Sequence, residues 1–260
     1  PNDDQGQVSL DSLRRMLGQG RVGLVGITHI PTNGGLVNPA VEIGALTREA
    51  GVPYLLDACQ SAGQWPLDVE EIGCDMLSVT GRKFLRGPRG TGFLYVRKEM
   101  IPRLEPPFLD LHAATWTSLD EYEIDPTARR FENWESYIAG GIGLGVAVDY
   151  ALEWGVDAIR ERVTGLADYF RASLDQVPGV RVRDLGEDRC GIVTFTHETA
   201  SAAALKALLA ERQTNVSITS LSSTRIDMEQ RNLDSMVRAS VHYYNTEEEV
   251  DGLVEVLRLD

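Results

Sequence analysis

Asp75-Met-Leu-Ser-Val-Thr80-Gly-Arg-Lys83-Phe-Leu-Arg-Gly87-Pro-Arg-Gly-Thr-Gly92-Phe-Leu-Tyr-Val96 is the stretch on which the reading of this sequence turns. Its two ends, Asp75–Thr80 and Gly92–Val96, are short apolar runs bounded by glycine and proline, and each reads as a strand. Between them lies a glycine-rich turn that carries a lysine.

Upstream the pattern repeats. Val22–Thr28 reads as a fully buried strand and Pro53–Asp57 as another. Asn38-Pro39 supplies an N-cap and a first-turn proline for a helix running to about Gly51. Asp68-Val-Glu-Glu71 has capping-box spacing ahead of Ile72 and Cys74. Alternation of strand and helix predicts an α/β domain with a mainly parallel sheet. Ligands collect at the carboxyl ends of such strands, and Thr28, Asp57 and Thr80 all stand at such ends.

From Gly140 the sequence predicts a long helix with small residues on one side, suited to joining two domains. Beyond it come strands near Val180–Val182, Gly191–Thr196, Val216–Thr219 and Val237–Val241. A helix is expected over Ala202–Glu211, and a closing one over Thr246–Leu259. This reads as a compact, small α+β domain, so the expected division is 1–150 for a large domain with its interdomain helix and 151–260 for the rest.

A formal net charge of -14 argues against nucleic acid or an anionic membrane as partner. No apolar run reaches the length of a membrane span and no signal peptide is visible, so a cytoplasmic protein is expected. Cys59, Cys74 and Cys190 fit neither a disulfide framework nor a CxxC site, and the histidines show no paired-ligand spacing, so no metal is expected.

The only lysines are Lys83, Lys98 and Lys206. A lysine that forms a Schiff base must lose its proton near neutrality, through burial or a nearby cation. Lys83 follows a buried strand and adjoins Arg82, whereas Lys98 and Lys206 read as solvated charges. Taken alone, Lys83 reads equally well as a surface charge. Asp57 adds weight, because a carboxylate ending a buried strand calls for a cationic partner. A protonated pyridine nitrogen is such a partner, and a turn aspartate is the other reading. Gln60 is placed to reach that ring's phenolic oxygen.

Thr28-His-x-x-x-Asn33-Gly, Asp57-Ala-Cys-Gln60, Thr80-Gly-Arg-Lys83 and Gly87-Pro-Arg-Gly-Thr-Gly-Phe-Leu-Tyr-Val, in that order, closely resemble the class V aminotransferase family. Val237-Arg238-Ala-Ser-Val-His-Tyr-Tyr-Asn245-Thr-Glu-Glu-Glu does too, so the resemblance covers essentially the whole chain. It implies the fold-type I scaffold of enzymes dependent on pyridoxal 5'-phosphate (PLP). It implies that Lys83 bonds the cofactor, Asp57 pairs with the ring nitrogen and Gln60 meets the phenolic oxygen. Asn33 would lie near that oxygen or the substrate, Thr80 and Arg82 would hold the phosphate, and Arg238 would take the substrate carboxylate. The expected activity is transamination or C–S/β-elimination lyase chemistry on an amino acid through an external aldimine. A homodimer is expected.

Four departures from the family pattern shape that expectation. Arg82 stands where the family usually has histidine, and an always-charged neighbour lowers the pKa of Lys83. Family desulfurases carry a nucleophilic cysteine shortly before the carboxylate-binding arginine, but Gln213–Met236 contains none. Cysteine desulfurase-type sulfur transfer, through Cys59 or otherwise, is therefore the alternative, with a non-catalytic paralogue or fragment as a third reading. Asn133-Trp134-Glu135-Ser136 replaces a Gly-Thr-Pro that reaches the partner's phosphate, leaving Ser136 as a substitute. Lastly, the family's first strands and phosphate loop precede the position of Pro1, so weak PLP binding by this chain alone, or completion by a separate N-terminal segment, is expected. His112, Trp116, Trp134 and Arg225 are further candidates for the substrate pocket.

Overall fold

The computed structural model describes residues 1–258. After helix Leu10–Leu17 (α1) come strand Val25–Thr28 (β1), helix Ala40–Ala50 (α2), strand Tyr54–Asp57 (β2), helix Val69–Ile72 (α3) and strands Met76–Thr80 (β3) and Gly92–Val96 (β4). The four strands form one sheet in sequence order, with β1, β2 and β3 parallel and β4 antiparallel to β3. Thr28 pairs with Asp57 and Asp57 with Ser78, so β1 and β2 end level while β3 runs on to Thr80. Tyr54, Leu56, Leu77 and Val79 face a core closed by Ile43 and Leu46 of α2. Asp68 caps α3 by accepting from Glu70 N and Glu71 N at 2.8 and 3.2 Å.

Ala114–Trp116 (β5) and Tyr122–Ile124 (β6) form a hairpin. Helix Ile138–Trp154 (α4) leads directly into helix Val156–Leu174 (α5). Strand Val180–Val182 (β7), strand Ile192–His197 (β8), helix Ala202–Glu211 (α6), strand Ser217–Ser220 (β9), helix Arg225–Gln230 (α7), strand Ser235–Ser240 (β10) and helix Glu247–Val256 (α8) follow. The second sheet runs β7-β8-β10-β9 and is antiparallel throughout. Leu166, Phe170 and Leu174 of α5 pack on Val193, Phe195 and Val237 in its core.

A buried ion pair ties α5 to this sheet. Arg171 Nε donates to Asp184 at 2.8 Å, and its Nη2 donates to the carbonyls of Cys190 and Ile192 at 2.8 and 2.9 Å. Such saturation of the guanidinium makes its burial tolerable.

The structure differs from the sequence reading at several places. The first strand is shorter than Val22–Thr28 and is not fully buried: Leu24, Gly26 and Thr28 are exposed, because β1 has a neighbour only on its β2 side. Asn38 does not cap α2. Its side chain donates to Thr28 O at 2.9 Å and accepts from Val8 N at 2.9 Å, and Pro39 takes the cap position without a side-chain bond. The closing helix starts as expected, with a capping box between Thr246 and Glu249, but ends at Val256. Leu259, its expected end, lies outside the described residues. The small-residue helix keeps Gly140 and Leu144 buried, while Ile138, Ile142 and Val146 form an exposed apolar stripe at 68%, 68% and 64% accessibility. No helix among the described residues is long and apolar enough to cross a membrane.

Candidate active site

Three strand ends and the turn after β3 build the site. Asp57, at the end of β2, accepts from Cys59 N at 2.9 Å and from the Thr28 hydroxyl at 3.4 Å. The Lys83 turn is fixed by its own backbone: Gly81 N donates to Thr91 O, Gly87 N to Gly81 O and Arg86 N to Lys83 O, at 2.9, 2.8 and 2.8 Å. Gly63, at φ 93°, lets the turn after Gln60 lie against it, since a Cβ there would come 2.5 Å from Phe84 C.

The electrostatics suit a lysine that must give up its proton. Burial is the main force lowering the Lys83 pKa, the positive charges of Arg82 and Arg238 add to it, and Cys59 and Asp57 oppose it. The Cys59 thiol is pushed up, first by burial and then by Asp57. Among the described residues neither Lys83 nor Asp57 is committed to an ion pair with the other or with a third group. An amine of lowered pKa facing the same strand ends as an uncommitted carboxylate is a donor set that fits an aldehyde-bearing, cationic heteroaromatic ring.

Thr32, which the sequence reading passed over, links two predicted residues. Its hydroxyl accepts from Gln60 Nε2 at 3.1 Å, and its carbonyl accepts from Arg238 Nε at 2.6 Å. Its position inside the Thr28–Asn33 motif was the available signal. Gln60 is thus turned toward Thr32. Burial lowers the Arg238 pKa. The Asn33 amide is engaged on both sides, accepting from Thr219 Oγ1 at 3.3 Å and donating to Ser223 O at 3.1 Å. It therefore fastens the cysteine-free segment after β9 to the turn after β1. Thr80 is half-buried at the end of β3 and Arg82 is exposed beside Lys83.

The Lys83 turn is also clamped to the C-terminal unit. Tyr243 N donates to His242 Nδ1 at 3.0 Å, which leaves Nε2 to donate to Phe84 O at 3.0 Å. The His242 and Phe84 rings stack at 5.4 Å. Arg86, at φ 60°, lays its guanidinium over Tyr150, Tyr243 and Tyr244 at 4.9, 5.0 and 5.5 Å.

The other pocket candidates have different company. His112 contacts Glu132 at 3.0 Å and stands edge-on to Trp134, whose backbone N donates to Asp110. Trp116 is exposed in β5, and Arg225 pairs with Glu229 at 2.8 Å. None of the four hydrogen-bonds to Lys83, Asp57, Gln60 or Arg238 among the described residues.

Comparison with known proteins gives this arrangement a lineage. The family model for aminotransferase class-V matches residues 1–253. A protein named "Probable cysteine desulfurase" from Synechocystis sp. is 31% identical over 260 residues, covering 98% of this chain and 61% of the relative. Its namesake from Methanothermobacter thermautotrophicus is 32% identical over 241 residues, covering 90% and 59%. The chain thus spans less than two thirds of the length of these curated relatives. Among solved structures, the apo cysteine desulfurase from Thermococcus onnurineus NA1 superposes with a TM-score of 0.92 at 27% identity, over 99% of this chain and 64% of that one. C-DES, in a mutant with glycine covalently linked to its PLP cofactor, gives 0.83 at 25% identity, over 97% and 64%. The mixed sheet followed by an antiparallel α+β unit is the expected fold-type I architecture, and the chain belongs to the class V aminotransferase family.

Proposed function

We propose that the protein binds PLP through Lys83 and acts on a sulfur-bearing amino acid, breaking its C–S bond. The observation that carries this reading is that Lys83, its pKa lowered chiefly by burial, feels the charge of Asp57, a strand-end carboxylate that makes no ion pair among the described residues. PLP, when bound, supplies an electrophilic aldehyde and a ring that draws electrons from Cα. Asp57 would pair with the ring nitrogen, Gln60 would meet the phenolic oxygen, and Thr80 with Arg82 would hold the phosphate. Arg238, held by Thr32, receives the substrate carboxylate, with Asn33 beside it. Lys83 would move the Cα proton.

Transamination, β-elimination and sulfur transfer are all open to such a set. The relatives' names favour sulfur transfer, the alternative reading of the sequence, over transamination. A persulfide relay needs a thiolate nucleophile, and Gln213–Met236 offers no cysteine. Cys59 lies in the cofactor motif, but burial and then Asp57 push its pKa up, which disfavours the thiolate. Elimination of the sulfur with its own substituent therefore fits these residues best, and transfer through Cys59 is the second reading.

Replacing Lys83 with alanine in the full-length protein should abolish borohydride-sensitive yellow colour and product formation together. Product formation surviving that substitution would remove Lys83 from the mechanism, while a persulfide trapped on Cys59 would favour the second reading. The division near residue 150 into cofactor-binding and C-terminal parts belongs to the same proposal, as does a homodimer, supported by the apolar stripe Ile138, Ile142 and Val146. Three free cysteines support a reducing compartment, the cytoplasm.

A further inference from the structure

Thr28 and His29 are neighbours in the chain with different company. Thr28 donates to the Asp57 carboxylate at 3.4 Å, whereas His29 lines a cavity of about 540 Å³ between the first turns of α2, α3 and α5. None of Lys83, Asp57, Gln60, Thr32 or Arg238 lines this cavity, so it is separate from the candidate active site.

One part of its wall suits an anion. Ala40 and Val156 bring the starts of α2 and α5 to it, and neither helix has a side-chain cap, so their first N–H groups are open. Arg160 lies over the Trp65 ring at 3.8 Å and makes no ion pair among the described residues. Stacking occupies the face of a guanidinium and leaves its in-plane donors for a carboxylate. His29 is 4% exposed and its Nδ1 has no partner among the described residues. With its pKa lowered to about 4 by burial and by Arg160, its ring is neutral at pH 7 and offers a hydrogen bond without a charge. The rim has the opposite character. Glu42, Glu71 and Asp188 are exposed there and make no ion pair among the described residues, while Asp68 is spent on capping α3. Trp65, Leu67 and Ile72 add an apolar surface.

We propose that this cavity is a second, non-catalytic binding site, and that it takes a free α-amino acid with an apolar side chain. Each part of such a ligand answers a group that is otherwise unmatched. Its carboxylate meets Arg160 and the two helix starts, with the neutral His29 ring beside them. Its ammonium meets the acidic rim, and its side chain covers Trp65, Leu67 and Ile72. A simple anion would face three unpaired carboxylates, and a simple cation would face Arg160 and both helix starts. A ligand carrying both charges suits both halves. The inference does not depend on which reaction Lys83 serves.

Equilibrium dialysis of L-leucine against the full-length protein, incubated with PLP, tests the site. Arg238→Met, which removes the guanidinium proposed for the substrate carboxylate, silences the candidate active site and should leave one leucine bound. In that background N-acetylleucine and leucinamide, each lacking one of the two charges, should bind about 10-fold more weakly, the order of one charge-assisted hydrogen-bonded pair. Adding Arg160→Met should weaken leucine about 10-fold. Adding Glu71→Gln, at an exposed side chain that the fold does not need, should weaken it about 3-fold while leaving N-acetylleucine unchanged. No leucine retained by the Arg238→Met protein would overturn the site. So would equal affinity for leucine and its two singly charged analogues. A colourless protein that still discriminates among the three probes would keep the site and remove the cofactor reading of Lys83.

Discussion

Acid should weaken this fold through His29. The residue follows β1 directly, is 4% exposed, stands edge-on to Trp65 at 6.3 Å, and its Nδ1 has no hydrogen-bond partner among the described residues. Burial, helped by the charge of Arg160, lowers its pKa from 6.5 to about 4. Between those values the unfolded chain binds a proton that the folded chain refuses. Stability is therefore full above the unfolded pKa and falls as the pH drops toward the folded one. At about 1.4 kcal/mol per pKa unit, going from about pH 7 to about pH 5 removes about 2 kcal/mol through this side chain. That is a large share of a typical domain's stability. Urea titrations of the protein and of His29→Gln at the two pH values isolate the effect, because only the difference between the two pH dependences is read. The variant should lose about 2 kcal/mol less on acidification. Parallel losses in the two proteins would refute the assignment.

Asp184→Ala should cost about 2–3 kcal/mol in the same urea assay, because it removes the buried acceptor of Arg171 Nε and of Thr194, while Asp168 and the Cys190 and Ile192 carbonyls still hold the rest of the guanidinium. Gly44→Ala should destabilise by more than about 3 kcal/mol, since its Cβ would fall 1.8 Å from Ile72 O where α2 meets α3; a loss below about 1 kcal/mol would mean the two helices part easily.

Much of this architecture was legible because strand ends are punctuated. Thr28, Asp57 and Thr80 each close an apolar run, and parallel pairing makes sequence-distant ends neighbours in space. The roles expected of Asp57 and Thr80 came from motif order rather than periodicity, which could not separate Lys83 from a surface charge. Contacts between segments far apart in sequence were the hidden part. The amide of Asn38 looked like a helix cap but is drawn to Thr28 O, and Asn33 is spent on Ser223, 190 residues away. Thr32 was missed because the Thr28–Asn33 motif marks its position but not its use, which runs through a backbone carbonyl and a hydroxyl. The hairpin of β5 and β6 escaped notice because three-residue strands give no periodicity to read.

The clamp from His242 and the tyrosine-ringed Arg86 to the Lys83 turn has a thermodynamic side. A ligand that binds only the folded turn stabilises whatever must unfold with it. The stacked Phe84–His242 pair passes that stabilisation into β10 and α8, which the turn itself does not include. Under the proposed role of Lys83, adding the cofactor should then slow amide hydrogen exchange in β10 and α8, making the C-terminal helix a distant gauge of its occupancy.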